Sequence, residues 1–196
     1  LKSAFESLRQ RSDYRAVVLI CAGRTFLSGG DMREFDTGVQ EPGYHEVLRL
    51  IEDTPAPVVA AIHGKAMGGG VETAISCHYR VALDSARLGL PEITLGIIPG
   101  AGGTQRMPRL IGLEPALDMM LTGKPLTAAQ AKQVGLLDEV VSGDLLSAAL
   151  AFARQLLAQG AGPRRTRERV VAGGERVDEI IAARRAQVAK TMRNRK

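Results

Sequence analysis

The sequence holds no tryptophan, and its aromatic share is only 4%. A surface that stacks nucleic-acid bases needs more rings than that. Two cysteines, Cys21 and Cys77, are too few for a disulfide framework or a thiolate zinc site. Their scarcity points to a reducing compartment, and the expected location is cytoplasmic. Three histidines, His45, His63 and His78, show neither HxxxH nor HExxH spacing, so no metal is expected. No apolar run approaches the ~18–20 residues that cross a bilayer. The opening LKSAFESLRQR is an amphipathic helix fragment without the form of a signal peptide. It has no initiator Met, from which a start inside a longer protein is expected.

Several motifs are missing too. GKAMGGG lacks the Gly-Lys-Ser/Thr ending of a Walker loop. In PGAGGTQ the third glycine of a dinucleotide fingerprint is not at the right offset. No GxSxG occurs, and Ser28, Ser76 and Ser85 have no nearby base in sequence, so no nucleophile stands out. Cys77 reads as a small core residue.

What the chain does have is enough length, 196 residues, for one well-filled domain, with an ordinary 45% hydrophobic and 24% charged content. The net charge of +5 is concentrated in residues 164–196, leaving the rest slightly negative. Such a segment could meet nucleic acid, a membrane surface or a polyphosphate. The plainer reading, a solvated helix face, is preferred, and nucleic acid is not expected as a partner.

Apolar runs at 15–22 (RAVVLICA) and 58–62 suit strands buried on both faces. Helical spacing over 44–53 puts Val47, Leu48 and Ile51 on one face. Gly29 and Gly30 make a turn after the first strand, with Asp31 placed to cap a short helix, MREF. Thr127 and Gln130 form a capping box, Asp144 caps a long helix that Gly160 ends, and a last helix covers roughly 175–192. Near 160–167 the chain is expected to leave its compact part. Strand and helix alternation predicts an α/β protein with largely parallel pairing. Its parts are expected at 1–140, the core, and 141–196, a helical C-terminal part.

The richest stretch is 58–106. Three glycines, Gly68 to Gly70, come after a buried strand and open a helix. Amides at such a helix start, with the positive dipole end behind them, can hold an oxygen that turns negative during reaction. The Gly29–Gly30 turn could supply a second amide. Glu72 lies in the first turn of the helix; taken alone it reads as a carboxylate favoured by the dipole. Glu92 lies among Leu88, Leu90, Ile93 and Leu95. Apolar company would raise its pKa, while a solvent-facing loop residue is the other reading. Together with an oxyanion socket, two carboxylates suit proton transfer beside an activated carbonyl.

These segments resemble the crotonase, or enoyl-CoA hydratase/isomerase, family. RTFLSGGDMREF is similar to its first oxyanion segment, AIHGKAMGGGVETAISCHYRVA to its central signature, and PEITLGIIPGAGGTQRMPRLIG to its third segment. The match runs over roughly residues 1–160. It implies a spiral of ββα units with a helical C-terminal part. It implies that Gly30 and Gly69 give the oxyanion amides, Glu72 and Glu92 the catalytic carboxylates, and Gly100 a hold on water. Ser28, Gly30, Asp31, Met32, Arg33 and Gly69 would line the coenzyme A path. No separate cofactor is implied, because coenzyme A belongs to the acyl-CoA thioester substrate. Family isomerases often keep only the equivalent of Glu92, so the pair favours hydration of a trans-2-enoyl-CoA. A Δ3-Δ2 isomerase is the second enzyme reading, and an RNA-binding module the non-enzyme one.

Two departures stand out. Gly30 stands where the family usually has Ala, and the helix at residues 1–10 is expected to come after the family's first strands, which carry coenzyme A contacts. PRRTRERVV resembles the exit from the hydratase part of multifunctional β-oxidation enzymes. A homo-oligomer, trimer or hexamer, is implied unless the chain is part of such a protein.

Overall fold

A computed structural model describes residues 1–30 and 43–193 of the chain. A short helix, α1 (Lys2–Arg9), leads to strands that come in pairs. β1 (Val17–Ile20) is followed by β2 (Leu27–Ser28), β3 (Val58–Ile62) by β4 (Lys65–Met67), and β5 (Tyr79–Leu83) by β6 (Arg87–Gly89). After the first pair comes helix α2 (Tyr44–Glu52), and after the second α3 (Gly69–Ser76). After the third come a 3-10 turn (Pro91–Leu95) and α4 (Gly103–Ile111). The chain continues through α5 (Leu113–Thr122), β7 (Leu126–Thr127), α6 (Ala128–Gln133), β8 (Glu139–Val141), α7 (Leu145–Ala158) and α8 (Val177–Arg193).

The first strand of each pair joins one sheet, in the order β1-β3-β5-β8, and the second joins another, β2-β4-β6-β7. Every pairing is parallel except β6 with β7. Each ββα unit thus adds one strand to each sheet and moves the chain on by one position. This is the spiral that the resemblance implies.

Strand alternation explains why β3 is apolar throughout. Val58, Ala60 and Ile62 face the larger core with Leu48, Ile51, Val71 and Ile75. Val59 and Ala61 face the other way, onto Leu145, Ala149, Ala153 and Leu156 of α7. The similar run in β1 behaves differently. Among the described residues it pairs only with β3, Val17 to Leu19 are half-buried, and Ile20 is 38% exposed. An edge position, which a run of apolar residues does not encode, accounts for the difference from the expected two-faced burial.

The helix signals hold. Thr127 and Gln130 make the capping box, and the Asp144 side chain accepts from the Ser147 amide. Cys77 is buried, and desolvation pushes its thiol up to about 12. The MREF helix expected after Asp31 lies outside the described residues.

The stretch 162–168 does not leave the compact part as expected. Tyr79 donates its hydroxyl to the Gly162 carbonyl at 2.9 Å. Thr166, 2% exposed, donates to the Ile75 carbonyl at 3.0 Å. The arginines of this basic stretch find acidic partners: Arg164 binds Asp138 and lies over the Tyr79 ring, and Arg167 binds Asp53 at 2.5 Å. A solvated face therefore describes only the later part of the basic segment. In α8, Ile180 is buried while Val177 and Val188 are exposed. Arg184, which interrupts the apolar stripe, pairs with Asp118 at 2.8 Å.

Asp138 also anchors a buried cation. Arg80 is 1% exposed and donates to the Leu136 and Cys77 carbonyls. Its backbone amide donates to Asp138 Oδ2 at 2.8 Å, and its guanidinium lies 3.5 Å from the same oxygen. Burial lowers the Arg80 pKa to about 10, with Asp138 opposing that shift. Asp138→Ala strands this cation. The expected loss is about 3–5 kcal/mol of stability, read as a lower urea midpoint with an unchanged slope. A loss within error would show that Leu136 and Cys77 carbonyls suffice.

Candidate active site

The site begins with strand register. β2 and β4 run parallel with Leu27 opposite Ala66 and Ser28 opposite Met67. The loops that start at Gly29 and Gly68 therefore leave the sheet side by side. Gly68 has φ +53, and a Cβ on it would lie 2.9 Å from Glu92 Oε1 and 3.8 Å from the Gly29 Cα. Gly70 is required for a different reason: its Cβ would lie 2.1 Å from the Leu27 carbonyl oxygen. The Gly68 amide donates to the Gly89 carbonyl at 2.9 Å. Among the described residues, the Gly30 and Gly69 amides have no backbone acceptor.

Glu72 sits one turn into α3 and is 3% exposed. Its Oε1 accepts from the Ala101 and Gly103 amides, both at 2.7 Å. Those amides belong to the turn that starts α4, where helical geometry leaves N–H groups without internal acceptors. Burial pushes the Glu72 carboxyl up. The Gly103 and Ala101 amides pull it back, helped by His45 and Arg106.

Glu92 lies in the 3-10 turn, half-buried, with Oε2 buried and lacking a hydrogen-bond partner among the described residues. Burial raises its pKa, and the charge of Glu72 raises it further. The structure thus brings Gly29, Gly68, Glu72 and Glu92 to one rim. Gly100, exposed, opens the turn just before Ala101, and Ser28 is exposed at the end of β2. Asp31, Met32 and Arg33 lie outside the described residues.

Two features escape a reading of local sequence. Tyr44, the first residue of α2, donates its hydroxyl to the Gly69 carbonyl at 2.5 Å and lies 2.6 Å from Thr73 Oγ1. Burial pushes the Tyr44 phenol up, so it keeps its proton. Behind Glu72, the Arg106 guanidinium binds the buried Glu52 carboxylate at 2.8 Å. A local signal for Glu52 did exist: it stands four residues after Leu48 and so shares the apolar face of α2.

The sequence model described as "Enoyl-CoA hydratase/isomerase" matches residues 1–194. The chain belongs to the enoyl-CoA hydratase/isomerase family. Within it, the chain is 41% identical over 187 residues to a peroxisomal bifunctional enzyme of Danio rerio, covering 94% of this chain and 26% of that protein. It is 45% identical over 172 residues to a peroxisomal fatty acid beta-oxidation multifunctional protein of Arabidopsis thaliana, covering 83% and 24%. It therefore spans about a quarter of the length of these relatives. Among solved structures, an enoyl-CoA hydratase from Bacillus anthracis is similar at 38% identity and a TM-score of 0.73, over 80% of this chain and 64% of that one.

The raised Glu92 pKa has a consequence for stability. The folded carboxyl holds its proton above 4.5, the ordinary value, so at higher pH the folded state binds more protons than the unfolded one. Stability is therefore lost as pH rises through that interval. Glu92→Gln removes this loss. Its thermal stability relative to wild type should improve progressively above about pH 4.5 and then level off. A difference independent of pH would mean that Glu92 ionises as freely as in water.

Proposed function

We propose that the chain hydrates trans-2-enoyl-CoA thioesters to 3-hydroxyacyl-CoA. The observation that carries this is the pair of carboxylates at the mouth of two adjacent glycine loops, one held by two amides and the other without a donor on Oε2. The Gly30 and Gly69 amides would receive the thioester oxygen. Glu72 takes a proton from water, whose oxygen attacks C3. The electron pair moves to the thioester oxygen, where the two amides stabilise the enolate. Glu92 delivers a proton to C2 as the enolate collapses, and the net change is addition of one water. Gly100 would hold that water, and Ser28, Asp31, Met32 and Arg33 would lie along the coenzyme A moiety. The path requires neither a metal nor a cofactor beyond the coenzyme A of the substrate.

Δ3-Δ2 isomerisation is the second reading, supported by Glu92, whose carboxyl is pushed up by burial and which could move a proton between carbons. The two-amide grip on Glu72 favours hydration. Binding of RNA through the basic segment is disfavoured, because Arg164 and Arg167 are engaged by Asp138 and Asp53. No helix among the described residues is long and apolar enough to cross a membrane. The coverage of bifunctional relatives supports reading the chain as the hydratase part of a multifunctional protein. As a separate chain it would form a trimer or hexamer. Its two free thiols keep the cytoplasmic placement as a proposal, beside relatives that are named as peroxisomal.

The test is loss of enoyl absorbance with crotonyl-CoA, for wild type, Glu72→Gln, Glu92→Gln and the double variant. Each single change should lower kcat by roughly 10²–10⁴-fold. The double variant should fall by far less than the product, since groups acting as a unit are non-additive. Wild-type hydration by Glu72→Gln would reduce Glu72 to a structural carboxylate. No hydration by the wild-type protein would end the reading.

A further inference from the structure

The turn that grips Glu72 is itself gripped from behind. Ala101 is held at both ends: its amide donates to Glu72 Oε1 at 2.7 Å, and its carbonyl accepts from Arg106 Nη1 at 3.3 Å. Arg106 in turn donates to Glu52 Oε2 through Nη2 at 2.8 Å and Nε at 3.3 Å. Glu52 is 1% exposed, and its other oxygen accepts from the Arg167 amide at 3.0 Å. The Glu52 backbone carbonyl is fixed as well. His78 Nδ1 accepts from the Val58 amide, which leaves Nε2 to donate to that carbonyl at 3.0 Å. One residue before Arg167, Thr166 donates to the Ile75 carbonyl in the last turn of the helix that carries Glu72.

We propose that Arg106, clamped by Glu52, is a positioning residue for Glu72: it holds the Ala101 carbonyl and so aims the Ala101 and Gly103 amides at the carboxylate. The inference rests on the hydratase reading for its kinetic consequence, though not for its geometry. A planar guanidinium can reach Glu52 and Ala101 at once, because its donors lie in a fixed fork. An ammonium has no such fork and satisfies one of them. The backbone at 166–167 completes the brace, so the segment after α7 supports the site from behind.

A structural role alone would lower stability. A positioning role also changes how Glu72 ionises. The groups acting on that carboxyl are Arg106 of α4, His45 and Tyr44 of α2, and Glu92 of the 3-10 turn, besides the two amides. Removing Arg106 loosens the amide turn and deletes a cation, and both changes favour the protonated acid.

The experiment uses the full-length protein with Arg106→Met, Arg106→Lys and the double variant Glu52→Gln/Arg106→Met. In the double variant the glutamine still accepts from the Arg167 amide and no buried charge is left unpaired. Arg106→Met should lower kcat on crotonyl-CoA by about 10²-fold, the size of effect expected from misplacing a reacting group. KM should change far less. The acidic limb of its kcat/KM profile should move to higher pH, with Arg106→Lys in between. The double variant should recover thermal stability toward wild type but not kcat. Recovery of both, or a folded Arg106→Met with wild-type kcat and acidic limb, would overturn the proposal. Titration of a carbon-13-labelled Glu72 carboxyl by NMR reads the brace without turnover. An upward shift in Arg106→Met supports it even if wild type proves inactive on enoyl-CoA, and an unshifted titration refutes it.

Discussion

A buried carboxylate must be solvated by the protein, and in this chain Glu72 is solvated by the start of a helix. Leaving such an ion unpaired costs several kcal/mol. Hydrogen bonds to a charged group return about 1.5–3 kcal/mol each. The two amides that serve Glu72 are free to do so because α4 begins at Gly103 and has no earlier carbonyls to use them. One carboxylate therefore ties the third ββα unit to the second. α4 is fixed by that bond at its start, and Arg106, one turn on, is thereby set opposite Glu52. The site and the packing behind it are consequences of the same contact.

Local chemistry was legible in the sequence, and distant partners were not. Three glycines after a buried strand, and Glu92 among apolar neighbours, point to their chemistry from their own surroundings, while Glu72 alone reads as a carboxylate favoured by the helix dipole. That the Gly29 and Gly68 loops meet was arguable because parallel strands deliver their loops to one rim; the β2–β4 register makes it so. Tyr44 reaches Gly69 across 25 residues, Arg106 reaches Glu52 across 54, and Arg167 reaches it across 115. Periodicity says which face of α2 is buried. It does not say that Tyr44 at one end meets a glycine carbonyl and Glu52 at the other meets a cation. β1 and β3 make the same point, since their apolar runs are alike and only their neighbours differ.

The basic segment shows how charge misleads when its partners lie elsewhere. Arginines crowded after Gly160 look like a solvated or nucleic-acid-binding face. Arg164 instead spans Asp138 and the Tyr79 ring, whose centroid lies 4.4 Å away, while the Arg167 backbone and side chain reach Glu52 and Asp53. The acids that receive them lie at the end of α2 and just before β8, each of which looks merely polar in isolation. A charge run can be classed as surface only after those carboxylates have been placed.

The two site carboxylates start alike, both raised by burial, and the donors separate them. Glu72 has two amides on one oxygen, which favours its ionised form. Glu92 has an oxygen with no donor among the described residues, and the negative charge of Glu72 raises its pKa further. In the proposed hydration Glu72 would gain a proton from water and Glu92 would lose one to carbon. That step would leave an anion on Glu92, whose Oε2 has no donor among the described residues, and a neutral acid where two amides wait. The donors around the two carboxylates would then favour return of the proton from Glu72 to Glu92, so the asymmetry behind the proposed base and acid would also reset them.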